Sequence, residues 1–230
     1  MKTPTKSRKS PKQPLALLAY ETIVKRIICL EYQPSQHLEE SHLVEDLGIG
    51  RTPVREALVR LQSENMVESH PNRGVVVRPI TLQNTKAMFE SMNIFEFGVV
   101  DISVTKNCTT GLEKMRTANR EICETIAKDD LFGMVEANHQ FHMAFAQCSQ
   151  NEFLIRAVHD VRNEAKRLSF LSYNTEIGSE NTLENHYQSV VEEHKKIITL
   201  LEARDKTGLK SLLQDHIQTF RERIIQFMVS

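Results

Sequence analysis

A chain of 230 residues, 40% hydrophobic and with a formal net charge of −1, has the length of one large domain or two modest ones. No apolar run approaches the roughly 20 residues that span a bilayer, and the basic residues 1–13 are not followed by a signal-type apolar segment. The sequence therefore reads as a cytoplasmic protein with no membrane partner. Cys29, Cys108, Cys123 and Cys148 are scattered, with no C-x-x-C, which fits reduced thiols better than a disulfide framework or a cysteine zinc knuckle.

Charge is uneven along the chain. Residues 1–80 hold 12 Lys/Arg against 9 Asp/Glu, and residues 81–230 hold 17 against 21. A basic first third on an acidic remainder permits phosphate binding at one end only. Residues 1–13 carry Lys2, Lys6, Arg8, Lys9 and Lys12 with no acid. This is the composition of a disordered basic tail, which either adds phosphate contacts or only aids solubility.

Residues 15–30 are expected to form a helix that buries Leu18, Ile23, Ile27 and Leu30. Tyr32–Ser35 turns the chain, and residues 36–38 can form a short strand. Ser41 is expected to cap a second helix ending at Leu47, with Leu43, Val44 and Leu47 inside. Gly48-Ile49-Gly50 then makes a tight turn into a third helix, capped by Thr52 and opened by Pro53. Val54, Ala57, Leu58 and Leu61 recur at i, i+3, i+4 and i+7 as one buried stripe. Arg51 and Arg55 lie off that stripe one turn apart, with Arg60 further along. Helix, tight turn, helix is the helix-turn-helix unit, and arginines near the start of its second helix give that helix the form of a DNA-recognition element. The plainer alternative is a solvated basic face. Residues 65–69 and 75–77, joined through His70-Pro71-Asn72-Arg73-Gly74, read as strand, turn, strand, with Gly74 free to take positive φ. A hairpin directly after a recognition helix is a wing, whose tip residue Arg73 can reach the minor groove or phosphate.

The run Leu47-Gly48-Ile49-Gly50-Arg51-Thr52-Pro53-Val54-Arg55-Glu56-Ala57-Leu58-Val59-Arg60-Leu61, followed by Asn72-Arg73-Gly74, resembles the winged helix of GntR-family transcriptional regulators over about residues 15–80. Its R-T-P-V-R-E-A-L core is the specific part. The family usually has Val-Ser before the first arginine; Ile49-Gly50 here loses that hydroxyl. The resemblance implies that Arg51 and Arg55 contact bases or phosphates and that Thr52 meets the DNA backbone. Ser41 and His42, at the start of the second helix, are further candidates for phosphate contacts, with Arg73 and Gly74 in the wing. Arginine chemistry agrees: its two parallel N–H donors match guanine O6 and N7 in the major groove.

Beyond Ile80 the pattern is nearly all helical, with helices at about 81–106, 110–128, 131–149, 151–172, 182–203 and 205–228. A turn is expected at Asp205–Gly208 and a polar loop over 172–180. The short join at 79–81 is expected to couple the two domains. This region resembles the helical FCD effector domain of the FadR branch of the same family over about residues 82–228. The matching pieces are Glu136-Ala137-Asn138-His139-Gln140-Phe141-His142, Asn151-Glu152-Phe153-Leu154, Glu193-His194-Lys195-Lys196-Ile197-Ile198 and Asp215-His216, in that order.

His142, His194 and His216 each fall on the apolar face of a different helix. Singly, each reads as a buried, hydrogen-bonded histidine. Together they invite a shared partner inside a bundle, where such folds build metal sites, and neutral imidazole suits zinc and nickel. The resemblance implies that Asn138 stands where an aspartate often completes the family's metal site. An amide oxygen can ligate but brings no charge, so the ion's full charge is left for an anion such as an effector carboxylate. A metal-free pocket in which the histidines hydrogen-bond an acid is the alternative. Arg162 and Arg167 can either hold that acid or lie solvated. Met92 corresponds to the place where many relatives carry an arginine that can meet an acidic ligand. His139, His159 and His186 read as solvated or edge residues.

The expected protein is mainly α: a tail over 1–13, a winged helix-turn-helix over 14–80 and an all-α effector bundle over 81–230. Its expected role is that of a homodimeric transcriptional regulator, in the usual family mode a repressor. It would bind double-stranded operator DNA and sense a small organic acid, through a divalent metal such as zinc or nickel. The main rival is a metalloenzyme using the three histidines, with the winged helix for docking. Against it, the sequence has no H-E-x-x-H, and Glu192 and Glu193 are expected to point away from the apolar face. A second rival, an architectural DNA-binding protein, leaves the internal polar cluster of the helical domain unexplained.

Overall fold

The computed structural model describes residues 14–71, 74–175 and 182–229. The basic tail and Arg73 lie outside the described residues. In chain order the elements are α1 (Leu15–Ile28), β1 (His37–Leu38), α2 (Glu40–Leu47), α3 (Arg51–Ser63), β2 (Val67–His70), β3 (Gly74–Val77), α4 (Leu82–Ser103), α5 (Thr109–Ala127), α6 (Leu131–Gln147), α7 (Glu152–Asn174), α8 (Leu183–Glu202) and α9 (Lys206–Val229). They divide into two compact units. The first takes the described residues up to Arg26 and Ser35–Arg78; the second takes Ile27–Pro34 and Pro79 onward.

In the first unit β3 lies between β1 and β2, antiparallel to both, with His37 opposite Val76 and Val67 opposite Val77. Leu38, Val67 and Val77 are buried, as are Ile23, Leu43, Met66 and the whole α3 stripe of Val54, Ala57, Leu58 and Leu61. Helix α2 stops because Gly48 turns left-handed at φ 62, its N–H returning to the carbonyl of Glu45. Buried Ile49 follows, and Gly50 in extended conformation is the N-cap of α3.

Several expected details shift. Helix α3 opens two residues early, so Thr52 and Pro53 are its second and third residues and not its cap and first. The cap position belongs to Gly50, which has no side chain to offer. Ser41 likewise lies inside the first turn of α2, where Glu39 is the N-cap, and its hydroxyl donates to Glu39 Oε1 at 2.7 Å. Val44 and Leu47 are half-buried. Leu18 is exposed because the buried stripe of α1 runs through Ala19, Ile23 and Ile27, leaving Leu18 about 100° off it. Leu30 lies past the helix end at φ 59. The Arg60 guanidinium covers the Tyr20 ring at 3.6 Å and pairs with Glu64, so it packs α3 on α1.

The second unit contains α4–α9. Side-chain oxygens of Thr81, Asp130, Asn151, Thr182 and Asp205 accept first-turn amides of α4, α6, α7, α8 and α9. Asp205 therefore starts a helix, and the expected turn at 205–208 is mostly the first turn of α9. Helix α7 continues to Asn174, so the first residues of the expected polar loop are helical; residues 176–181 lie outside the described residues. Arg223 supports that extension by donating to the carbonyls of Ser172 at 2.7 Å and Thr175 at 2.8 Å, groups that a helix end leaves without intrahelical partners. Helices α5 and α6 approach closely at Gly111, where an added Cβ would sit 2.4 Å from Cys148 Sγ.

Two apolar clusters hold this unit. One gathers Val99, Val100, Phe141, Phe145, Ile197 and Leu213, and the other Phe89, Met92, Leu168, Leu171, Ile217 and Ile224. No helix among the described residues is long and apolar enough to cross a membrane.

The wing sets one requirement on its sequence. Gly74 has φ 69, and a Cβ there would meet His37 Nε2 at 2.9 Å. Gly74→Ala is expected to lower the stability of the winged unit by about 1–3 kcal/mol, the usual range for a strained backbone position. The urea midpoint read from probes in the winged unit checks this, and an unchanged midpoint refutes it.

Candidate functional site

The start of α3 presents its arginines outward. The side chains of Arg51 and Arg55 are 66% and 63% exposed, and both reach one carboxylate, Glu40 in the first turn of α2. Arg55 Nε lies 2.7 Å from Oε2 and Arg51 Nε 3.3 Å from Oε1. The hydrogen bond from Arg55 to Glu40, and then the charge of Glu40, raise the Arg55 pKa. Glu40 thus gathers two guanidiniums side by side without burying them, and exposed Thr52 lies between them in sequence. Exposed Ser41 follows Glu40 on α2. Gly74 begins β3 at the turn end of the wing, opposite His70, and Arg73 is not described. Sequence reading missed Glu40, because an acid 11 and 15 residues before two arginines carries no periodic signal across a turn.

The second site is internal. Helices α6, α8 and α9 bring together His142, His194 and His216, with one ligand atom from each lying within 4.8 Å of the others. His142 and His194 have no solvent exposure. Phe141 stacks on His194 at 3.7 Å with the rings 4° from parallel. Among the described residues, neither nitrogen of His142 or His194 has a hydrogen-bond partner, and Asn138 Oδ1 has none either. Burial pushes the pKa of both histidines well below the usual value. The nearby Arg162 reinforces this at His142, and His216, followed by Arg162, does so at His194. Both imidazoles are therefore neutral and able to ligate.

Two carboxylates accompany the cluster, and neither was expected there. Glu193 faces inward, its Oε2 lying 2.6 Å from His216 Nδ1, because α8 turns this side chain toward α9. Burial alone would raise the Glu193 pKa, but the hydrogen bond and charge of His216, with Ser189, bring it below the usual value. Glu96 on α4 is 1% exposed. Its Oε1 accepts from Arg162 Nε at 2.5 Å and lies 3.6 Å from His142 Nδ1. The cluster is not surrounded by neutral groups alone, which corrects the expectation that a bound ion would keep its full charge. Met92, one turn before Glu96, is buried in the apolar cluster. Glu96 had a legible signal: an acid at i+4 from Met92 and i+7 from Phe89, on the apolar face of α4.

The two candidate arginines separate. Arg162 is 5% exposed and not solvated. It lines a narrow cavity with Asn138, Tyr173, His186, Glu193 and His216. Arg167 is also buried but lines a different cleft with Ile80, Thr81 and Met88, so it is not brought to the histidines. His139 is 7% exposed, and its pKa falls to about 2 through burial and then the charge of Lys166. It is a core residue and not an edge one. His186 is half-buried, 3.2 Å from Ser172 Oγ, with its pKa lowered to about 3 by burial and then Arg223. His159 is exposed.

A winged helix-turn-helix with paired outward arginines, followed by a helical unit with a buried polar centre, defines a DNA-binding regulator. Residues 15–77 match the model of the gntR family of bacterial regulatory proteins, and residues 88–219 match that of the FCD domain. The chain belongs to the GntR family, in its FCD-bearing branch, and is a DNA-binding transcriptional regulator and not an enzyme. It is 23% identical to the Nta operon transcriptional regulator of Aminobacter aminovorans over 201 residues, 87% of this chain and 90% of that protein. It is 24% identical to the transcriptional regulator LutR of Bacillus subtilis over 210 residues, 81% and 90% of the two chains. Its fold is similar to that of McbR/YncC of E. coli, with a TM-score of 0.75 at 20% identity over 94% of this chain and 99% of that one.

Removing the shared carboxylate should separate its two effects on DNA. Glu40→Ala is expected to strengthen binding to random duplex and steepen its salt dependence, because two arginines lose their counter-charge. Preference for the operator should fall, because the same arginines lose their alignment. Fluorescence anisotropy against salt concentration on both duplexes measures this, and an unchanged ratio of the two affinities refutes the alignment role.

Proposed function

We propose that this regulator senses a small carboxylic acid at the three-histidine centre through a bound divalent metal, with zinc or nickel suited to the donors. The observation that carries the reading is the convergence of three imidazoles from three helices, two of them fully buried with unpartnered nitrogens. Buried polar atoms without partners cost roughly 1–3 kcal/mol each, so an arrangement that leaves several of them facing one another is one that a ligand completes. His142, His194 and His216 would hold the ion, with the Asn138 amide oxygen as a fourth donor. When bound, a divalent ion supplies the Lewis acidity that captures a carboxylate. Arg162 and Glu96 offset each other and Glu193 balances one charge of the ion, so a single positive charge remains. A monocarboxylate neutralises it. Arg162 lines the cavity and is the nearer of the two candidate arginines to such an acid; Arg167 would act elsewhere.

At the DNA end, Arg51 and Arg55 would contact the operator in the major groove, with Thr52 and Ser41 on the phosphate backbone and Arg73 and Gly74 in the wing. Binding as a homodimer to a roughly palindromic site follows the geometry of helix-turn-helix proteins. Exposed Ile94 on α4 and Phe153 on α7 leave apolar area that a second copy would cover. The effector would act by preferring one arrangement of the paired winged helices over the other. Repression relieved by the effector is the proposed mode, and one relative of this chain, from E. coli, is described as the transcriptional repressor RspR. A cytoplasmic location follows from acting on an operator.

Two measurements test these assignments. Arg55→Ala is expected to weaken operator binding by about 1–3 kcal/mol and relax base preference in the half-site, as for an arginine that reads a guanine; unchanged operator affinity refutes the role. Untagged protein purified without chelator is expected to carry about one equivalent of divalent metal per chain, lost in His142→Ala. Metal-free protein that takes up none on add-back refutes the metal reading and favours direct hydrogen bonding of the acid by the histidines.

A further inference from the structure

Glu193 precedes His194 on α8, yet its side chain serves the histidine of α9. Its Oε2 lies 2.6 Å from His216 Nδ1, and its Oε1 accepts from Ser189 Oγ at 2.8 Å. Both oxygens are thus held, one by the next helix and one from a turn earlier on its own. A carboxylate accepts and does not donate, so the proton of the first bond belongs to His216 Nδ1, and Nε2 is left as the nitrogen that can ligate. The other carboxylate near the cluster is differently placed. Glu96 is engaged by Arg162, and its 3.6 Å separation from His142 Nδ1 is too long for a hydrogen bond. On the α6 side the neutral amide of Asn138, whose Oδ1 is buried, lines the same cavity as Glu193 and His216.

We infer that Glu193 is the positioning residue of the three-histidine site. It fixes His216 in the tautomer that offers Nε2 to a divalent ion, and it supplies the negative charge that Asn138 does not. This rests on the metal reading proposed above. The physical basis is general: a carboxylate behind a ligating imidazole sets its ring orientation and raises its basicity, and loss of such a partner weakens metal binding by roughly 10–100-fold. Ser189 contributes one step further out, by restricting the carboxylate.

The test uses the full chain and zinc alone, with affinity read by competition against a chromophoric chelator. Glu193→Gln keeps an acceptor for the His216 proton and removes the charge. It is expected to bind zinc roughly 10–100-fold more weakly than wild type, while the metal-free variant melts close to the metal-free wild type. Ser189→Ala is expected to lose less. A second readout needs no variant: nitrogen NMR of the zinc-loaded wild type should find His216 protonated at Nδ1 and metal-bound at Nε2. Zinc affinity of Glu193→Gln within about threefold of wild type, or zinc on His216 Nδ1, overturns the inference while leaving the metal reading intact. A wild-type protein that binds no zinc or nickel overturns both.

Discussion

Phe141 lies flat against His194 at 3.7 Å, and that stack is where the apolar core of the helical unit meets its polar centre. Phe141 belongs to the larger apolar cluster, with Val99, Phe145 and Ile197. Packing at this density excludes water from the neighbouring imidazoles and keeps them neutral. Among the described residues several buried nitrogens of the arrangement have no partner, a cost that a ligand completing the centre would remove. On the reading proposed above, stability and sensing are linked in one place, since whatever completes the centre would also stabilise the folded unit.

Both units use a carboxylate to hold guanidinium groups, but in different surroundings. Glu40, itself half-buried, brackets Arg51 and Arg55 where both guanidiniums are open to solvent. Pairs of that kind contribute little to stability and exchange readily for a phosphate or a base edge. Glu96 holds Arg162 at 1% and 5% exposure, where breaking the pair would leave an uncompensated buried charge. The exposed bracket suits reversible binding of a polyanion. The buried one gives the helical unit a fixed charge arrangement beside the histidines, suited to the pocket proposed above.

The recognition-helix stripe, the wing and the six helices of the second unit were legible in the sequence, because each rests on local periodicity and on turn residues such as Gly48, Gly74 and Asn151. Start points were less legible. Thr52 and Ser41 are good capping residues by type, yet Gly50 and Glu39 occupy the cap positions, since the turn before each helix decides where its first amide is released. Leu18 shows the same limit. Its apolar character is read correctly, but the angular position of the buried stripe was set by what packs on α1.

The sequence by itself determined that three histidines would lie on the apolar faces of three helices, because i, i+3 and i+4 spacing is a property of one helix at a time. It also determined that Arg51 and Arg55 would share a face off the α3 stripe. Only the tertiary structure decided that those histidines meet within 4.8 Å, that Arg162 joins them while Arg167 does not, and that Glu40, Glu96 and Glu193 are their partners. Those pairings connect residues on different helices, and the direction in which a side chain leaves one helix toward another is set by how the helices pack.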